Sequence, residues 1–280
     1  MRKRLLAIGL TLAGLVWSQN LPFEPTHNTG QSVTGAFEGW FPNPDGSFSL
    51  LLGYYNRNQK QDLDIPIGPN NRIEPGGPDQ GQPTHFLPGR QWGLFTIKVP
   101  KDFGEKKLTW TLAVNGKTTV IPVSLNSLWE VQPLLEATGN TPPFVGFAEA
   151  GPFVQGPAGA SAKLTATMPD RAALTVWLAD DAKAPIVGVR PRTPAVTVRW
   201  SKFRGPGEVT FTNDRPVVEK AEFKAPAPAT FTGVATTEAT FSEPGDYILY
   251  MVANDWSGDG GRGFQCCWSN AQVRVTVKAR

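Results

Sequence analysis

The chain has 280 residues, of which 40% are hydrophobic and only 18% charged, with 27 Lys and Arg against 24 Asp and Glu. That is a folding composition of two-domain length, and it excludes the highly charged, weakly apolar class that stays disordered. Gly (29) and Pro (26) are both abundant, which favours many turns and short strands over helices.

Residues 1–18, "MRKRLLAIGLTLAGLVWS", read as a unit of their own. Arg2, Lys3 and Arg4 precede an apolar run from Leu5 to Trp17, too short for a settled membrane span. Val16 and Ser18 are small enough for a processing site, so a signal peptide cut before Gln19 is expected. This segment takes three basic and no acidic residues, leaving 24 against 24 in the mature chain. A neutral chain without a basic cluster argues against nucleic acid and anionic membrane surfaces as partners. No second apolar stretch is long enough to span a bilayer. The expected location is secreted or periplasmic.

From residue 32 onward, strand-like alternation recurs. "SVTGAFEGWF" (32–41), the turn "NPDGS" (43–47) and "FSLLLGYYN" (48–56) predict a hairpin turning at Asp45-Gly46. "WGLFTIKVP" (92–100) puts Phe95, Ile97 and Val99 on one face. "LTWTLAV" (108–114), the turn at Asn115-Gly116 and "TTVIPV" (118–123) predict a second hairpin. Between these hairpins, residues 68–90 show no period and are dense in Pro and Gly. Such long loops tend to be functional, and this one is the expected interaction surface of a first domain spanning 19–126.

Residues 127–160 predict a linker and a first edge strand. Strands follow at "ALTVWLADD" (173–181), "AVTVRWSKF" (195–203), "GEVTF" (207–211), two within 235–255 and "QVRVTVK" (272–278). The expectation is all-β: two antiparallel β-sandwich domains after a cleaved signal peptide, the second covering 127–280 and immunoglobulin-like.

Over about 139–280, the order "NTPP", "LTVWLADD", "VTVRWSKF", "ATFSEPGDYILYMVANDWSG" and "VRVTV" resembles a PKD-type or cadherin-like immunoglobulin-fold module. The matching positions are Trp200, Phe241, Pro244, Gly245, Tyr247, Asp255 and Gly258. The chain departs from the PKD pattern at "WSKFRGPGEVTF", and it carries the insertion "GDGGRGFQCCWSNA". The resemblance implies an extracellular structural or binding module rather than a catalyst. The first domain resembles no characterised family.

Residues that could carry chemistry are few. The two histidines, His27 and His85, are far apart, and neither lies in a nucleophile context. With two cysteines and two distant histidines, a zinc site is not expected. Carboxylate pairs occur at 62–64, at 180–181 and in "ND-x-x-GDGG". In the last of these, Asp255 and Asp259 could offer oxygens to calcium, or Asp255 could make a solvated turn. Trp40, Tyr54, Tyr55 and Trp92 cluster in the first domain, and adjacent aromatics on a strand point to opposite faces. One of each pair could therefore stack on sugars, with Arg72, His85 and Arg90 nearby as polar ligand contacts. Alternatively a second layer covers them. Cys266 and Cys267 are adjacent in a Gly-rich stretch. They could form a vicinal disulfide, remain buried thiols, or serve an intermolecular or redox role. Trp268 is expected to pack that turn down. The expected activity is that of a non-catalytic structural or binding module, with a glycan-binding or calcium-dependent adhesion role as alternatives. Its expected partners are proteins or glycans of the cell surface.

Overall fold

A computed structural model describes residues 27–183, 194–255 and 266–280 of the chain. The expected signal segment and Asp259 lie outside the described residues. The fold is all-β, as the alternation predicts, and no described helix is long and apolar enough to cross a membrane.

The first half builds eight strands: β1 (Val33–Pro42), β2 (Phe48–Asn56), β3 (Leu63–Asp64), β4 (Asn71–Glu74), β5 (His85–Phe86), β6 (Gly89–Val99), β7 (Lys107–Val114) and β8 (Lys117–Ser124). They form one sheet in the order β1-β2-β6, a second in the order β4-β7-β8 and a short β3-β5 ribbon. Both expected hairpins form, with Asn115 and Gly116 in the left-handed region that their tight turn requires. Phe95 of one sheet meets Trp110 of the other edge to face, with ring centroids 5.4 Å apart.

The stretch 68–90 is not an aperiodic loop. It contributes β4, paired with β7, then β5, paired with β3. Asn71 organises it from inside: its Nδ2 donates to the carbonyls of Ile65 and Pro83, and its Oδ1 accepts from Trp110 Nε1. A fully buried amide satisfied in this way holds two chain segments without periodicity, which is why no strand pattern marks the region.

The second half contains β9 (Phe144–Gly146), β10 (Ala160–Thr167), β11 (Ala172–Asp180), β12 (Thr197–Arg204), β13 (Val209–Phe211), β14 (Glu219–Lys220), β15 (Phe231–Phe241), β16 (Gly245–Asn254) and β17 (Trp268–Lys278). One sheet runs β10-β17-β16-β12. The other runs β13-β15-β11-β9, with β14 also on β15. β10 and β17 pair in parallel and every other pair is antiparallel within this half. Their inner faces meet around Val176, Leu178, Trp200, Leu249, Met251 and Val275. This is an immunoglobulin-like sandwich. At the β15–β16 corner, Tyr247 Oη donates to the Glu243 carbonyl at 2.8 Å and accepts from Gly207 N–H at 3.1 Å. Phe241 packs on the same ring, so Phe241, Pro244, Gly245 and Tyr247 build a tyrosine corner.

Strand β16 is buried on both faces. Tyr247, Leu249, Met251 and Ala253 line the sandwich interior, as the alternation predicts. The alternate residues Ile248, Tyr250 and Val252 join the apolar core of the first half, together with Phe203 and Trp268. The two halves therefore share one continuous core across their junction.

Candidate functional site

At the junction, a bulge in β6 receives Trp268. Gly93 has φ +52°, and a Cβ there would stand 2.2 Å from the Trp268 ring. Only a glycine at this position lets the indole seat against the backbone. Trp268 Nε1 donates to the Gly93 carbonyl at 3.4 Å, and Asn270 Nδ2 donates to the same oxygen at 2.7 Å. On the other side of the bulge, Gly93 N–H donates to Glu38 Oε2 at 2.5 Å, while Arg90 bonds Glu38 and the carbonyls of Tyr54 and Gln91. Burial raises the Glu38 carboxyl above its ordinary range, against the lowering effect of Arg90. Trp268 was expected to pack down its own turn. It instead sits in the core of the first half, as the first residue of β17 and seated against Gly93 of β6.

The stretch 68–90 turns out to be an intramolecular contact surface. Arg204 bonds both oxygens of Asp79, at 2.9 and 2.8 Å, and the Gln82 carbonyl. Thr84 N–H donates to the Phe203 carbonyl at 3.1 Å. Beside them His85 sits between two carboxylates, with Nδ1 2.9 Å from Asp64 Oδ1 and Nε2 3.4 Å from Asp62 Oδ2. Lys202, almost fully buried, adds its ammonium 3.4 Å from Asp64. His85 and Lys202 hold Asp64 below the ordinary carboxylate range, the His85 hydrogen bond being the largest cause. Among the described residues the cluster joins Lys202 of the second half to Asp64 of the first, with His85 hydrogen-bonded beside it.

Several sequence-derived candidates change role. Trp40 is buried because its Nε1 donates to the Asn126 carbonyl at 2.7 Å and the segment through Val131 lies over it. Tyr54 is buried with its hydroxyl accepting from Leu87 N–H at 2.7 Å, and burial raises its pKa. Neither Trp40, Tyr54 nor the buried His85 is open to a sugar. Arg72 is occupied locally by Glu74 and the Pro69 carbonyl. What stays open is a strip on β2 and β6. Tyr55 is 43% exposed and pairs across from Arg90, whose guanidinium lies 3.9 Å over the half-buried Trp92 ring. Arg57 covers the Tyr55 ring at 5.7 Å.

The third cluster lies next to Trp268, where β16 ends at Asn254 and β17 begins. Asp180, Asp181 and Asp255 are buried, at 1%, 7% and 2% exposure, beside the fully buried Asn140. Asp181 is satisfied by Lys183 N–H and by the Thr141 N–H and hydroxyl. Asn140 Nδ2 donates to Asp255 Oδ2 at 2.6 Å, leaving Asn140 Oδ1 without a partner. Asp180 Oδ1 accepts from Ala182 N–H, and its Oδ2 has no partner among the described residues. Burial, reinforced by the nearby Asp255 and Asp181 charges, pushes the Asp180 carboxyl up to about 7. Calcium wants six to eight oxygens. Among the described residues no three of His, Cys, Asp and Glu form a metal-holding group. The other expected calcium ligand, Asp259, lies outside the described residues, and the cluster as described holds an Asp180 carboxyl raised by burial. Asp255 is not the solvated turn residue of the alternative expectation, because it is buried against Asn140.

The cysteines flank this cluster. Cys266 and Cys267 form a vicinal disulfide, joined by a cis peptide, and both are buried. Cys267 Sγ lies 3.5 Å from the Asn140 carbonyl, so the disulfide walls the acidic cluster. The residues that spacing alone did not expose are Glu38, Asn140, Lys202 and Asn270. Glu38 meets Arg90 52 positions away, Asn140 meets Asp255 115 away and Asn270 meets Gly93 177 away.

No family model matches the chain, and no curated protein matches it. Among solved structures it is similar to domains 4 and 5 of the S-layer protein SbsC, at 11% identity and TM-score 0.23, covering 89% of this chain and 98% of that one. It is similar to zebrafish RET cadherin-like domains 1 to 4, at 13% identity and TM-score 0.26, covering 82% and 48%. A third is the sialic acid binding region of a Streptococcus sanguinis adhesin, at 10% identity and TM-score 0.23, covering 89% and 78%. Overlaps this low assign neither a family nor a function.

Proposed function

We propose that the chain is an exported, non-catalytic structural or binding module of the cell envelope or exterior, in which two β-sandwiches act as one rigid body. The observation that supports this best is the shared core: Phe203, Ile248, Tyr250, Val252 and Trp268 of the second sandwich are buried in the apolar cluster of the first. Each such burial is worth about 1.5–3 kcal/mol, enough together to couple the two halves. The charged residues at the junction are used on one another, in the Arg204–Asp79 and His85–Asp64–Lys202 contacts, rather than aimed at a reaction centre. The test is cell fractionation with N-terminal sequencing, followed by retention of the mature protein on envelope material and solution scattering. A protein kept in the cytoplasm, or two independently tumbling domains, would overturn the proposal.

A second reading, glycan binding by the first domain, has one observation in its favour: the open Tyr55–Arg90–Trp92 strip. Tyr55→Ala should then abolish retention on a neutral polysaccharide that the parent protein binds, and unchanged retention would remove this reading.

A further inference from the structure

The outer face of the β10-β17-β16-β12 sheet is covered by the first half only in part. The core contacts of Phe203, Ile248, Tyr250, Val252 and Trp268 cover one end of it, Ile248 lying at their edge. Beyond them lies an open groove of about 600 Å³, lined by Lys163, Thr165, Arg204, Asp246, Arg274 and Thr276 among others. That volume falls in the range of small-ligand sites.

The registers place its charges in one line. Lys163 pairs with Arg274, Arg274 with Ile248 and Ile248 with Arg204. Three cations and one apolar residue thus form a single row across four strands. The next row carries Thr165, Thr276 and Asp246. Like charges directly opposite on neighbouring strands destabilise a sheet. Lys163 and Arg274 nevertheless face each other, both exposed, with no ion-pair partner among the described residues. The field of Arg274 reaches Asp79, but both Asp79 oxygens are bonded to Arg204. Asp246 is bonded to the Thr276 hydroxyl. Arg204 is held in place by Asp79 and Gln82, so one end of the row is rigid.

We infer that this groove binds an acidic saccharide, with its carboxylate between Lys163 and Arg274 and its hydroxyls toward Thr165 and Thr276. The inference rests on the reading of the chain as an exported binding module, and it names a site and a ligand class for that module. Charge complementarity selects the anion. The open, hydroxyl-lined floor selects a polyhydroxylated body over a compact inorganic ion.

The test uses calorimetric titration of the mature protein with hexagalacturonate, maltohexaose and inorganic phosphate. The acidic hexamer should bind at low ionic strength and weaken at least several-fold at high salt, because the contacts are exposed. The neutral hexamer should not bind, and phosphate should bind at least tenfold more weakly. The double variant Lys163→Glu, Arg274→Glu should lose binding at least tenfold while keeping its circular dichroism and Tm, since both side chains point to solvent. Single variants with Gln in place of each residue cover the case in which the double variant unfolds. Equal binding of the neutral hexamer or of phosphate, or unchanged binding by a folded variant, would overturn the groove. If the variant loses hexagalacturonate but stays on envelope material, the groove stands as one of several contacts. If the parent protein binds hexagalacturonate but no envelope material, the groove stands and the module reading fails.

Discussion

Asp180→Asn isolates the buried carboxyl at the disulfide end of the second sandwich. In the native state, burial and the Asp255 and Asp181 charges raise its pKa to about 7, from an ordinary value of 3.8. A raised acid pKa means that the folded state holds the proton more tightly than the unfolded chain does. Stability from this group is therefore fully present below about pH 3.8, falls as pH rises, and levels off above about 7. At ~1.4 kcal/mol per pH decade, the whole interval costs the native state ~4 kcal/mol. The part between pH 5 and pH 8 is ~3 kcal/mol. The other charged groups around it, Asp181, Asp255 and Lys183, are common to both proteins, so they drop out of the comparison to first order. Asparagine keeps the oxygen that accepts from Ala182 N–H and cannot ionise. Urea unfolding at pH 5, 6, 7 and 8 should show the variant gaining on the parent by ~3 kcal/mol across that range. A stability difference constant with pH would refute the account of Asp180.

Trp268→Ala empties the seat formed by Gly93 and should cost ~3–5 kcal/mol, the range for deleting a large buried aromatic. Calorimetry should then resolve two transitions where the parent protein shows one, and a single unshifted transition would contradict the shared core. Tyr247→Phe removes the donor to the Glu243 carbonyl and the acceptor for Gly207, and should lower stability by ~1 kcal/mol in denaturant titrations. Reducing the Cys266–Cys267 bond should cost only about 1 kcal/mol, because the loop it closes has no intervening residues and little chain entropy is at stake. The unfolded, unreduced protein should titrate no thiols, and two reactive thiols would disprove the bond.

Much of the fold was legible because a strand writes its burial into alternate residues. The hairpin from residue 33 to 56, the pair at 107–124 and the inner face of β16 all followed from period two and turn residues. The missed portions had no such record. The first four residues of β15 lie outside the expected strand, and the inward one, Gly233, has no side chain to mark a core face. β4 is four residues long and carries one buried apolar residue, Ile73, beside the Asn71 amide. Of the site candidates, the cysteine pair was correctly suspected as a vicinal disulfide. Tyr55 and Trp92 keep some exposure, whereas Trp40 and Tyr54 do not, because what covers them comes from residues 126–131 and from Leu87.

Sequence alone determined the all-β class and the immunoglobulin-like pattern of the second half, since both follow from strand period and turn residues. The alternation assigned only one face of β16 to a core, and burial of Ile248, Tyr250 and Val252 on its other face came from the structure. Only the tertiary structure decided what that face meets, how Gly93 admits Trp268, and that Asn140, Asp180 and Asp255 share a buried corner. The same is true of the row from Lys163 to Arg204. These depend on register and on domain placement, which are set by the summed packing of both cores and leave no local mark on the chain.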